Sequence, residues 1–188
     1  MELFDLYTYD GRKTGETIQR GTNAPAGRYR YIVHIVVFNS LGEMLIQQRQ
    51  PFKTGWSGMW DVSAGGSVIA GETVQQGAER EVREELGLEI SLDGVVPSLC
   101  LRFNEGFNEI YIVNADPDLN KLQLQPEEVR QVKWAGRDEI LDMIDRGVFV
   151  TYNKSFIELL FHFRDNNDIF QAEDPTGQNG ETVWEQES

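Results

Sequence analysis

One cysteine, two histidines and six prolines in 188 residues leave little for some protein classes to work with. Cys100 alone cannot close an internal disulfide, so a disulfide-stapled secreted domain is excluded, and the residue reads as a small buried hydrophobe in a reducing cytosol. Basic residues are also scarce. Seventeen Lys and Arg stand against 31 Asp and Glu, a formal net charge of −14, which argues against the basic surface that sequence-independent nucleic-acid binding needs. Long hydrophobic runs are missing, and no apolar stretch approaches the ~18 residues of a membrane span. The opening MELFDLYTYDGRK is acidic and lacks the basic-then-apolar order of a signal peptide. A cytoplasmic protein with neither nucleic acid nor membrane as partner is the expectation. Core-forming residues are plentiful: 40% of the chain is hydrophobic, with ten Phe, six Tyr and four Trp, enough for one packed domain.

Along the chain, the first thirty residues carry turn chemistry at Asp10-Gly11 and Thr14-Gly15 and read as a hairpin or irregular arm over 1–28. A buried strand is expected over Tyr31–Phe38 and a second over Glu43–Gln48, with a loop over Trp56–Asp61. A helix follows from about Thr73 to Leu86, with Gly87 as its stop. Further strands are expected over Val95–Phe103, Glu109–Val113 and Val129–Trp134, and helices over Asp138–Ile144 and Tyr152–Phe163. His34 and His162 lie within apolar runs and read as structural. From Arg164 the chain is polar and acidic, so 29–163 is expected to be the domain and 164–188 a mobile tail. Mixed strands and helices without a regular βαβ period place the class as α+β with a mixed sheet.

The helix poses a problem. Glu79, Glu81, Glu84 and Glu85 fall within seven positions, and like charges one turn apart weaken a helix by a few tenths of a kcal/mol per pair. Val74, Ala78, Val82 and Leu86 form a narrow apolar seam, and the acids border it instead of opposing it. Only Arg80 and Arg83 stand among them as cations, and Gly77, one turn before Glu81, leaves room for a ligand or another backbone. Converging carboxylates shielded from water must take up protons or bind cations. An all-oxygen cluster suits Mg²⁺ or Mn²⁺ together with substrate phosphate oxygens.

Gly66, Glu72, Arg80-Glu81-Val82, Glu84-Glu85 and Gly87-Leu88 have the spacing of the Nudix box at every position, and the chain resembles that superfamily. The resemblance implies a Nudix-type α/β/α sandwich in which the box forms a loop–helix–loop. It implies hydrolysis of a diphosphate linkage by water, with metal ions neutralising the phosphates and lowering the pKa of the attacking water. Carried over by position, Glu81, Glu84 and Glu85 are the metal ligands, with a carbonyl of Gly65 or Gly66 as a further one. Arg80 orients Glu81, Glu72 braces the loop, and Gly66 and Gly87 are structural. The general base stays open between Glu81 and an acid outside the box, for which Glu109, Glu127 and Glu128 are the candidates.

The runs YIVHIVVFNSLGEMLIQQR and GMWDVSAGG also resemble isopentenyl-diphosphate isomerase and its hydrolase relatives. The isomerase cysteine position holds Gly65, its metal-binding histidine position holds Ser67, and its strand histidine aligns with Arg30, while Glu109 falls where the isomerase keeps an acid. A double-bond shift needs a proton donor and an acceptor on opposite faces, and glycine supplies neither, so the hydrolase reading stands above the isomerase and above a non-catalytic binding module. The default substrate is a nucleoside di- or triphosphate, since the marks of NADH pyrophosphatases are absent and Phe103 stands where ADP-ribose hydrolases keep a proline. Arg49, Arg30, Arg28 and Lys53 are candidates to hold phosphate or sugar, and Trp60, Phe52, Trp56, Phe103, Phe107 and Tyr111 to stack on a base. The sequence allows a homodimer and does not require one.

Overall fold

The computed structural model describes residues 2–165. The expected tail therefore lies outside the described residues, apart from its first two positions. Its elements, in chain order, are strands β1 (Leu3–Tyr7), β2 (Lys13–Gln19), β3 (Arg30–Phe38), β4 (Met44–Arg49), β5 (Trp60–Asp61) and β6 (Ala64–Ser67), then helix α1 (Val74–Leu86). Strands β7 (Leu99–Phe103), β8 (Gly106–Asn114) and β9 (Val129–Ala135) follow, and helices α2 (Arg137–Asp145) and α3 (Lys154–Asp165) complete the domain.

The sheet is mixed. β3 runs parallel to β8 over nine register pairs and antiparallel to β6, while β4 runs antiparallel to β5 and β9. Alternation along β3 explains the layering. Val33, Ile35 and Val37 face the α1 side with Ala78, Val82 and Leu86. Val36 and Phe38 face the other side, where Ile140, Met143, Ile157 and Leu160 of α2 and α3 cover them. With a helical layer on each face, β3 is buried on both, which is why it reads as a continuous apolar run.

β3 and β4 share one register pair, Phe38 with Met44, and then diverge. The chain from 60 to 67 fills the wedge, pairing first with β4 at Gln47 and Gln48 and then crossing to β3 at Ile32–Ile35. Ser63 stitches the crossing: its buried hydroxyl accepts from the Val37 amide at 2.8 Å and donates to the Leu45 carbonyl at 2.6 Å. β1 and β2 form an antiparallel pair that braces the loop before α1, through Ala70 N–H to the Leu3 carbonyl (2.8 Å) and Gly71 N–H to Asp5 (2.9 Å).

Two expectations are corrected here. Cys100 is exposed, not buried, because β7 pairs with β8 alone and leaves its outer face uncovered. The strand expected from Val95 begins only at Leu99; Val95 closes a turn onto Leu92, and Val96 is 79% exposed. β-branched residues do not make a strand without a partner.

Candidate active site

α1 is set by local chemistry before any packing. Thr73 accepts from the Gln76 amide and Gln76 returns the contact to the Thr73 amide, a capping box, while Gly87 ends the helix at φ 64°. Burial of the Ala78, Val82 and Leu86 seam against the sheet then turns the flanking acids toward β6.

Arg80 organises them. Its guanidinium donates to Glu72 (2.8 Å), to Glu81 (2.9 Å), to Glu84 (3.1 Å) and to the Ser67 carbonyl (2.9 Å). Glu72 also accepts from the Ile69 amide at 3.0 Å and so ties the loop to the helix. Glu85 lies deeper, only 5% exposed, accepting from Gln47 Nε2 at 2.9 Å and from the Gly65 amide at 3.3 Å. Burial, with the Glu81 charge beside it, pushes the Glu85 carboxyl up to about 8. Burial likewise pushes Glu81 up, against the pull of Arg80. Two such carboxylates, with Glu84 beside them and no thiol or imidazole in the cleft lining, fit a hard divalent cation, which would offset the charge that burial leaves poorly solvated. Among the described residues no three acidic or imidazole side chains surround one point, because Arg80 draws Glu81 and Glu84 to itself.

Gly66 leaves the space Glu81 occupies. A Cβ there would stand 2.2 Å from Glu81 Oε1. Since that atom ends a flexible side chain, Gly66→Ala is expected to keep the melting temperature within a few degrees while Glu81 swings away. Displacements of this size cost about a hundredfold in rate, measurable as lost turnover in a variant with an unchanged circular dichroism spectrum. Gly77 differs from expectation: its missing side chain makes room for Val68 and Glu72, at 3.1 and 3.3 Å from a would-be Cβ, and not for a ligand at the acids.

The acids line a cleft of about 640 Å³ that also takes in Arg49, Lys53 and Glu128. Of the acids considered outside the box, Glu128 is therefore in the cleft, paired with Lys53, and it adds to the field on Glu85. Glu127 is exposed. Glu109 is on β8, where it accepts from the Tyr111 hydroxyl at 2.9 Å, away from the cleft lining. A second chamber of about 430 Å³ adjoins the cleft, sharing Arg49 and Gly65–Ser67 with it. Arg30 lines this chamber, bonded to Ser67 Oγ at 3.1 Å and to Glu105 at 3.2 Å.

Of the aromatic candidates, Trp56 and Phe52 border the site, in the chamber and the cleft respectively. Trp60 turns instead to the α2–α3 side, under Lys133 at 5.0 Å, and Tyr111 is core. Phe107 stacks on Tyr31 at 5.0 Å, away from both cavities. His34 is in the chamber wall, and His162 is exposed on α3, so its apolar neighbours in sequence do not bury it. Sequence reasoning missed Gln47, Asp61 and Tyr152. Each is a polar residue in a strand or turn with no local pattern to mark it.

A Nudix-domain family model matches residues 28–160. The chain belongs to the Nudix family. It is 38% identical over 169 residues to the uncharacterized Nudix hydrolase lmo0368 of Listeria monocytogenes, covering 90% of this chain and 99% of that relative. The crystal structure of DR0079 from Deinococcus radiodurans superposes with a TM-score of 0.66 at 26% identity, over 86% of this chain and 98% of that one. An isopentenyl-diphosphate Delta-isomerase of Citrobacter koseri is 33% identical over 113 residues, 57% of this chain and 62% of that relative. The chain is thus a Nudix-type diphosphohydrolase with the α/β/α sandwich of its family and a likeness to the isomerase branch. Geometry agrees with the departure from that branch at Gly65: a Cβ there would come within 2.9 Å of both the Val33 carbonyl and His34 Cδ2, so β3 leaves little room for a side chain at that spot.

Proposed function

We propose that this Nudix hydrolase cleaves a diphosphate linkage in a nucleoside di- or triphosphate derivative, by water and with Mg²⁺ (or Mn²⁺) held by Glu81, Glu84 and Glu85, as a cytoplasmic enzyme. The single observation that carries the reading is the buried Glu85 beside the half-buried Glu81, two repelling carboxylates, in one cleft with Arg49, whose buried Nε has no hydrogen-bond partner. Bound divalent ions supply charge neutralisation of the phosphates and a more acidic water. The chain's own groups do the positioning. Arg80 is spent on Glu72, Glu81 and Glu84, and Lys53 on Glu128, so neither is available to grip substrate without letting go of an acid. Arg49 is different: its Nε is buried with no hydrogen-bond partner, and its Nη1 stands 3.9 Å from Asp61. At the seam of cleft and chamber, its guanidinium suits a phosphate oxygen. Glu128 is the acid outside the box best placed to take a proton from the attacking water, with Glu81 the alternative within it.

The test is phosphate and nucleotide release with Mg²⁺ over nucleoside di- and triphosphates, nucleotide sugars, dinucleotides and isopentenyl diphosphate. Turnover of at least one nucleoside polyphosphate that stops in EDTA is expected, with isopentenyl diphosphate left unisomerised. Isomerised product, or silence across the panel from folded protein that binds Mg²⁺, would overturn the reading.

A further inference from the structure

The chamber beside the cleft has a floor that phosphate chemistry does not use. Tyr152, just before α3, contacts the Asp61 carboxylate of β5 at 2.8 Å and His34 Nε2 of β3 at 3.3 Å, and His34 Nδ1 contacts Asn108 Oδ1 at 2.9 Å. Asn108 Oδ1 can only accept, so His34 Nδ1 donates. Two proton placements then satisfy every contact. In one, a protonated Asp61 donates to the Tyr152 oxygen and Tyr152 donates to His34. In the other, His34 donates to Tyr152 and Tyr152 donates to an ionised Asp61. Both hold the same number of protons, and in both the proton-bearing or proton-receiving oxygen is Oδ1, which also accepts from the Val62 amide at 2.8 Å. Burial pushes the Asp61 carboxyl up, against the pull of His34 and Tyr152, in keeping with a proton shared along this chain. Oδ2 is left as an acceptor in either arrangement. Among the described residues no hydrogen bond reaches it, and its nearest cation, Arg49, stays 3.9 Å away.

The chamber wall also carries an indole. Trp56 lines it, half exposed, on a backbone at φ 51°. A residue with a Cβ adopts that left-handed conformation at a cost, and such strain concentrates where ligands are held. The floor thus offers one fixed acceptor, the wall an indole face, and about 430 Å³ between them, room for a nucleobase and its sugar.

We propose that the chamber receives the base of the substrate and that Asp61 Oδ2 reads an amino group on it, with Tyr152 as the positioning residue for Asp61 and Trp56 as the stacking face. The assignment rests on the hydrolase reading for the presence of a nucleotide at all. A deaminated base presents a carbonyl where the amino group was, so that two acceptors face each other. Sites built around a hydrogen-bond partner reject such analogues strongly.

Isothermal titration calorimetry in EDTA, on the full chain, separates the two claims because it needs no turnover. The probes are monophosphates in amino and deaminated pairs: adenosine with inosine, cytidine with uridine, guanosine with xanthosine. In at least one pair the amino member is expected to bind about tenfold tighter. Asp61→Leu is expected to bring that ratio near one, Tyr152→Phe to lower it severalfold, and Trp56→Ala to weaken both members of the pair about equally, by about fivefold or more. Equal binding within every pair overturns the proposal, as does a ratio that survives in folded Asp61→Leu. Should that variant fail to fold, an unchanged ratio in Tyr152→Phe overturns it instead. A wild type that hydrolyses nucleotides with Mg²⁺ but shows no selectivity removes the base reader and leaves the hydrolase. A wild type that binds selectively but hydrolyses nothing removes the hydrolase and leaves the reader.

Discussion

Glu85→Gln is expected to lower Mg²⁺-dependent turnover by at least about a thousandfold, roughly 4 kcal/mol of transition-state stabilisation, while the metal-free protein becomes no less stable at pH 8. The two outcomes share one cause. Glu85 is almost wholly buried beside Glu81, and the helix tolerates that charge only at the expense of its folded state. A glutamine keeps the shape and can still accept from Gln47 or the Gly65 amide, so the contacts at 2.9 and 3.3 Å need not collapse. What it removes is the anion that would hold a cation under the phosphates. Phosphate release and a melting curve on the same preparation check the pair of effects. A variant that keeps more than a tenth of wild-type turnover would remove Glu85 from the metal-binding set.

Removing the metal should make stability depend on pH in a direction opposite to that of ordinary surface carboxylates. The Glu85 carboxyl is raised from its ordinary 4.5 to about 8 by burial and by Glu81. Between those values the folded protein binds more protons than the unfolded chain, so stability falls as pH rises, by up to ~1.4 kcal/mol per pH unit for each such group. Glu81, Asp61 and Glu109, each pushed up chiefly by burial, act with the same sign. The melting temperature in EDTA is therefore expected to drop steadily from pH 5.5 to 8. Mg²⁺ competes with protons for Glu81 and Glu85, so its stabilisation should be small at pH 5.5 and largest at pH 8. At a hundred times its Kd it contributes about 2.7 kcal/mol, or about 5–10 °C for a chain of this size. Scanning fluorimetry at four pH values with and without Mg²⁺ tests this. A Mg²⁺ shift independent of pH would mean that the ion binds elsewhere, and Glu85→Gln should remove the Glu85 share of the slope.

Much of the site was legible because it is local. The spacing from Gly66 to Leu88 fixes a turn, a capped helix and the acids on it within one stretch of chain, and Arg80 contacts both Glu72 and Glu81. β3 was legible for a related reason, since a strand covered on both faces reads as a nearly continuous apolar run, here broken at Arg30 and His34 where it meets the chamber. The chamber floor was not. Asp61 and Tyr152 are 91 positions apart and His34 and Asn108 are 74 apart, and only the parallel pairing of β3 with β8 and the return before α3 bring them together. Cys100 and Val95 failed in the opposite way. Each has the composition of a core position, but an edge strand or a turn before it leaves it at the surface. The loop expected over Trp56–Asp61 ends at Met59, because Trp60 and Asp61 pair with β4 as β5, and no propensity says which of the two indoles turns to the cavity.

The chain that fills the wedge between β3 and β4 acts as a gauge. Asp61, at its β4 end, and Gly65, whose amide touches Glu85, are four residues apart on one continuous segment pinned at its middle by Ser63. At ~3.3 Å per extended residue the span between them is at most about 13 Å. That length is covalent, so repacking neighbouring side chains cannot stretch it, and only inserting or deleting a residue between Ser63 and its flanks would recalibrate how far the two ends of a ligand may stand apart.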